Sequence, residues 1–160
     1  MLSVDLVYLG NEKEKYYNDA ADEYIKRLSA FCTFKQKNIK DERLSSEPSQ
    51  NEINAALEKE SKKIFEALPD RSYKVAMCVE GKQMSSEELA ALIESLPQMG
   101  YSGISFVIGS SCGLAPEVKA KSDLRLSVSK MTFPHKLFRV MLLEQIYRAF
   151  TINSGSKYHK

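Results

Sequence analysis

Apolar residues along this chain fall into two alternating patterns, each occurring five times. One is a short run rich in β-branched and aromatic side chains. The other recurs every three or four positions, as on one face of a helix. Residues 2–9, 73–79 and 103–108 are apolar runs that predict three strong, buried strands. Residues 34–39, with alternating lysines, predict a weaker strand and residues 124–127 a short one. Between them, Tyr17, Ala20, Ala21, Tyr24, Ile25 and Leu28 form a helical stripe that runs to about residue 31. Asn11 is its expected N-cap, with Glu14 at capping-box spacing. Ile53, Ala56, Leu57, Ile64 and Leu68 mark a second helix over 52–68. Ser85 or Ser86 caps a third over 87–96, and Pro116 opens a short fourth to about 121. The polar stretch 40–51 predicts a mobile loop. Strands alternating with helices predict an α/β fold, a mostly parallel sheet flanked by helices, as one domain over residues 1–160.

The last quarter breaks the amphipathic pattern. Pro134 opens a helix, where its missing N–H costs nothing. From there to Phe150, Leu137, Phe138, Val140, Met141, Leu142, Leu143, Ile146 and Ala149 leave almost no polar face. Such a helix is covered on all sides, by its own domain or by a partner subunit. Glu144 and Arg148 stand one turn apart and are expected to pair. Arg139 shares a side with Leu142, Ile146 and Phe150, where a charge demands a partner or a ligand. The start of the helix adjoins loop 128–133, which carries Ser129, Lys130 and Thr132. Free N–H groups and a positive dipole end beside such a loop outline a binding site.

Charge adds a direction to this outline. The net charge of +2 conceals nine Lys/Arg against two acids over residues 119–160, and fourteen against nineteen elsewhere. A basic end suits an anionic partner, nucleic acid above all, although ordinary surface charge is the alternative. Cys32, Cys78 and Cys112 are odd in number and widely spaced, and there are only two histidines. No zinc or other metal site is expected, and free thiols in a reducing cytoplasm are. The longest uncharged run, residues 95–116, holds four Gly, two Pro and five Ser, which make strand and loops and no membrane span.

Ligands in parallel sheets bind at the carboxyl ends of strands. Three such ends stand out: residues 77–82, 108–113 and 127–133. Gly109-Ser-Ser-Cys-Gly113 lets backbone N–H groups approach a ligand closely, or is a plain tight turn. It matches neither a dinucleotide fingerprint nor a P-loop. A β-branched residue at Gly109 would be expected to fill the ligand's space. His135, at the helix start, has a pKa expected to be pushed down by the dipole, and is a structural histidine, a ligand contact or a general base. Cys112 is a nucleophile only in a competing reading as a small-molecule α/β enzyme, and no base stands at a recognisable spacing from it. The ending Tyr158-His159-Lys160 is a frayed tail or a group that stacks on bases and binds phosphate.

Several stretches together resemble the RlmH family of SPOUT methyltransferases. They are Tyr16 to Arg27, Val79-Glu-Gly-Lys82, Phe106-Val-Ile-Gly109, Gly113-Leu114, Leu126-Ser-Val-Ser-Lys-Met-Thr-Phe-Pro-His135, Arg139-Val140, Glu144-Gln-Ile-Tyr-Arg-Ala149 and the closing Tyr158-His159-Lys160. The resemblance implies S-adenosylmethionine-dependent methylation of N3 of a pseudouridine in 23S ribosomal RNA, on the ribosome, by a homodimer. It implies a SPOUT-type α/β knot whose C-terminal part forms a trefoil. It places the cofactor at Met77, Gly109, Val128, Ser129, Lys130, Met131, Thr132 and Phe133. His135, Arg139 and His159 are then the candidates for proton removal and charge stabilisation, and Tyr158, His159 and Lys160 for RNA contact. Two positions depart from the family pattern. Ser110 replaces the second glycine of Gly-Gly-x-x-Gly, and Cys78 stands where an acidic residue is usual. The alternative within this frame is a basic RNA-binding protein of the ribosome without chemistry.

Overall fold

The chain alternates strand and helix from end to end: β1 (Ser3–Leu9), α1 (Lys15–Leu28), β2 (Thr33–Ile39), α2 (Gln50–Ala67), β3 (Ser72–Gln83), α3 (Ser86–Ser95), β4 (Gly103–Ile108), α4 (Pro116–Lys121), β5 (Leu124–Ser127) and α5 (His135–Asn153). The structure, a computed structural model, describes residues 1–11 and 13–160. The strands form one sheet in the order β2-β1-β4-β3-β5, with every pairing parallel. The central strands β1, β3 and β4 alternate their side chains between two cores. Val4, Leu6, Val75, Ile104 and Phe106 face α1, α3 and α5. Val7, Leu9, Ala76 and Val107 face α2 and α4. β1 and β4 are covered on both faces, which explains why their sequences are unbroken apolar runs. β2 lies at an edge, and its exposed Lys35 and Lys37 discourage further strand pairing there.

Several boundaries differ from the sequence reading: α1 ends at Leu28 and not near residue 31, and three other differences have a visible cause. Asn11 does not cap α1. The N-cap is Glu14, with no side-chain hydrogen bond, and the carboxylate of Glu14 is drawn across to Lys136 on α5. A tertiary ion pair has displaced the local cap; Glu12, which fell within that expected first turn, lies outside the described residues. α2 starts earlier than expected because Ser49 and Glu52 form a reciprocal capping box. β3 continues to Gln83, beyond a break in register at which both Met77 and Lys82 face Leu126 of β5.

α5 owes its apolar circumference largely to its own chain. α1 and α3 flank it, and Leu142, Leu143, Ile146 and Ala149 are buried between them and the sheet. The flank carrying Leu137, Val140, Met141 and Glu144 stays exposed or half-buried.

Candidate active site

The carboxyl ends of β3, β4 and β5 meet in one cavity of about 390 Å³. Met77 and Cys78 line it from β3, residues 109–113 from the β4 loop, and Val128, Ser129, Met131, Thr132 and Phe133 from the segment before α5. The three loops singled out in the sequence thus wall a single space. Lys130 is the exception among them: it is exposed and lines no part of the cavity.

Local hydrogen bonds shape these walls. Ser127 Oγ donates to the Ser129 carbonyl at 2.8 Å, and Ser129 Oγ accepts from the Met131 amide at 3.0 Å. These side-chain-to-backbone bonds turn the chain between β5 and α5 without secondary structure. In the β4 loop the Gly113 amide donates to the Ser110 carbonyl at 2.8 Å, and Gly113 adopts a φ of +82°. Gly109 is required for a different reason from the one its sequence suggests. A Cβ there would lie 2.6 Å from the Gly113 carbonyl carbon and 3.0 Å from Leu114 Cγ, so it would strike the loop itself before it reached ligand space. Gly109→Ala is therefore expected to destabilise the fold by about 1–3 kcal/mol through overpacking, read as a lower denaturation midpoint. A wild-type midpoint in that variant would show that the loop yields freely.

A smaller cavity of about 140 Å³ adjoins the first and shares Ile108, Ser110, Ser111 and His135 with it. Tyr8, Asn18, Asp41 and Arg139 line its other sides. Arg139 is 6% exposed. Its Nη2 donates to Gln36 Oε1 at 2.7 Å and its Nη1 to Asn18 Oδ1 at 3.3 Å, and its guanidinium carbon lies 4.4 Å from the centre of the Tyr8 ring. Asn18, Gln36 and the Tyr8 ring are thus among the groups that hold the cation in place. His135 is exposed at the shared wall, yet surrounding protein disfavours its charged form and lowers its pKa below the ordinary 6.5, against a smaller opposing effect of Asp41.

His159 does not join this pair. Its Nε2 lies 2.6 Å from Glu87 Oε1 and its Nδ1 3.1 Å from Arg148 Nη1. Arg148 is nine residues beyond Arg139, roughly 13 Å along the helix. Tyr158 packs edge-on to Tyr147 at 4.9 Å and donates from its hydroxyl to Glu144 Oε1 at 3.2 Å, so the ending is docked rather than frayed. Lys160 is exposed. The expected Glu144–Arg148 pair is present at 2.5 Å. Among the described residues no cluster of three or more His, Cys, Asp or Glu is placed to hold a metal, and no helix is long and apolar enough to cross a membrane.

Residues 2–159 match the sequence profile of the family described as "Predicted SPOUT methyltransferase". Over 159 residues the chain is 47% identical to ribosomal RNA large subunit methyltransferase H of Clostridium acetobutylicum, covering 99% of this chain and 100% of that one. It is 45% identical to the protein of the same name from Streptococcus thermophilus, with the same coverage. The chain belongs to the RlmH family of SPOUT methyltransferases. Among solved structures, this methyltransferase superposes on a probable methylase family protein from Haemophilus influenzae with a TM-score of 0.56 at 12% identity, covering 99% of this chain and 70% of that one. It superposes on a protein described in a study of 2-OH methylation of C/U34 on tRNA with a TM-score of 0.52 at 19% identity, covering 96% and 98%. Those two likenesses bear on the fold.

Sequence reasoning missed several residues around the smaller cavity. Tyr8, Asn18 and Gln36 come from elements read only as scaffold and Asp41 from a stretch read as a loop, and nothing local marks them. Glu60 is different. It is 3% exposed and lies on the apolar stripe of α2 with Leu57 and Ile64. A carboxylate at stripe spacing was the available signal.

Proposed function

We propose that this protein transfers a methyl group from S-adenosylmethionine to N3 of a pseudouridine in 23S ribosomal RNA, on the ribosome and in the cytoplasm. The observation that carries the reading is the pair of adjoining cavities, one apolar and backbone-rimmed, the other holding a buried cation and a histidine at the shared wall. The residues suit the cofactor. Met77, Ile108, Leu126 and Phe133 offer an apolar bed for an adenine ring, and the glycine-bearing β4 loop offers close backbone approach. S-adenosylmethionine, when bound, supplies an electrophilic methyl group. The chain's own task is to hold the target nitrogen in line and to take its proton. N3 of a pseudouridine is an imide nitrogen, protonated at neutral pH. His135, neutral at that pH, accepts the proton, and Arg139 stabilises the developing negative charge. His159 belongs with Tyr158 and Lys160 in RNA contact. The names of the relatives, methyltransferases of large-subunit ribosomal RNA, support the substrate class.

Cys78 is itself no candidate for thiol chemistry in the same cavity. Burial raises its pKa, the reverse of what an activated nucleophile needs. Calorimetric titration with S-adenosylmethionine tests the reading directly. Saturable binding that survives thiol alkylation is expected. No binding would leave a non-catalytic RNA-binding protein, and loss of a cofactor-independent activity on alkylation would favour Cys112 chemistry.

The homodimer is part of the same proposal. A groove of about 530 Å³ lined by Met84, Leu89, Val128, Val140 and Met141 runs along the uncovered flank of α5, and a second copy is its proposed occupant. Light scattering at micromolar concentration should report about twice the chain mass of 18.1 kDa. A clean monomer there would remove the dimer from the account. The trefoil knot implied by the resemblance also belongs here. The strand order, in which the chain leaving β4 passes beyond β3 to form β5 before α5 returns against α1 and α3, is compatible with it.

A further inference from the structure

We propose that Glu60 is a positioning residue for the cofactor site: its buried carboxylate brackets the loop after β4 to the segment after β2, and so fixes the walls of both cavities. The proposal rests on reading the larger cavity as the S-adenosylmethionine site. Glu60 Oε1 accepts from Ser110 Oγ at 3.0 Å, and Oε2 accepts from the Glu42 amide at 2.9 Å. Glu60 is 3% exposed and Ser110 6%. Ser110 lines both cavities, and Asp41, next to Glu42 in the chain, lines the smaller one. One side chain on α2 is thereby tied to a wall of each space while lining neither.

A carboxylate in the middle of an apolar stripe is costly unless its oxygens are bonded, so this arrangement needs a reason. The reason lies in the β4 loop. Its backbone closes on itself through the Gly113–Ser110 bond and carries glycine at both ends, and the Ser110 hydroxyl ties it to α2. The Ser110 hydroxyl is the group through which Glu60 reaches this loop from α2. Burial raises the pKa of Glu60, and the bonds from the Glu42 amide and Ser110 oppose that rise, as expected of donors that favour the ionised form.

Site-resolved hydrogen exchange on the full chain, with and without S-adenosylmethionine, tests the bracket together with cofactor titration. In Glu60→Ala, amide exchange of residues 109–113 should accelerate about tenfold or more, while β1 and β4 keep their protection, and the cofactor Kd should rise about tenfold. Glu60→Gln keeps an oxygen for the Glu42 amide and offers its NH₂ to Ser110 Oγ once that hydroxyl turns, so it should restore both readouts to within about threefold of wild type. Ser110→Ala deletes only one of the two bonds and should show the same local loosening if Glu60→Ala fails to fold. Unchanged exchange at 109–113 in the variant that folds, or a Gln variant no better than Ala, would overturn the proposal. Exchange reports the bracket without cofactor. Wild-type protein that binds no S-adenosylmethionine would instead overturn the reading of the cavity.

Discussion

Replacing His135 with alanine is expected to slow methyl transfer to ribosomes by about 10²- to 10⁴-fold, the usual contribution of a positioned general base. Cofactor affinity should change far less, because the backbone-rimmed loops supply most of that cavity's wall. The pH dependence carries a sign. His135 accepts a proton only when neutral, so activity falls as pH drops through its pKa. That pKa lies below the ordinary 6.5, chiefly through desolvation. The acid limb of the rate profile should therefore fall below pH 6.5, with a plateau above it, and the alanine variant should lose the limb. Two results would remove His135 from this role: a variant with the wild-type rate, or a wild-type rate that climbs tenfold per pH unit through neutrality. The second would mean that the imide ionises into solvent and the protein only positions it.

His135 rather than His159 is singled out by surroundings, not by sequence. Both are single histidines near Lys or Arg. In the fold, His135 stands at the wall common to two cavities, whereas His159 is clasped between Glu87 of α3 and Arg148 of α5.

What was legible in the sequence follows from how local each signal is. The five strands and five helices are carried by period and by breakers such as Gly10, Pro69, Pro97 and Pro116, and they recur in the fold with shifted ends. The three loops that wall the larger cavity were legible because they are strand ends, which parallel sheets gather on one side. The start of α1 was not legible. Asn11 and Glu14 have cap spacing, but Lys136, far along the chain, takes the Glu14 carboxylate. The second cavity was hidden for the same reason: Tyr8, Gln36 and Arg139 meet only because β1, β2 and α5 pack together. α5 illustrates an alternative that the sequence left open. Its apolar circumference is compatible with partner or self burial, and only packing shows that α1 and α3 cover most of it.

Deleting residues 158–160 is expected to reduce methylation of ribosomes by about a hundredfold while leaving S-adenosylmethionine affinity and solution mass unchanged. None of the three lines the cavity proposed for the cofactor, so binding there has no reason to weaken. Their contacts are Tyr158 to Glu144 and Tyr147, and His159 to Glu87 and Arg148. The His159 bond lowers the pKa of Glu87, but Glu87 is exposed, and such surface pairs are weak and screened by salt. The tail is thus parked rather than locked, and an RNA loop offering a base face and phosphates competes well for it. An aromatic stacked on a base contributes about 1–3 kcal/mol, and the upper part of that range alone corresponds to about a hundredfold. The tail also stands on the flank of α5 that carries Glu144, at the groove proposed for a second copy. A truncated enzyme that methylates at the wild-type rate would show that docking on α5 is all the tail does. One that loses the cofactor would place the tail in the site of methyl donation. One that turns monomeric would make it an element of the dimer. Only loss of methylation with cofactor binding and mass intact assigns Tyr158, His159 and Lys160 to RNA.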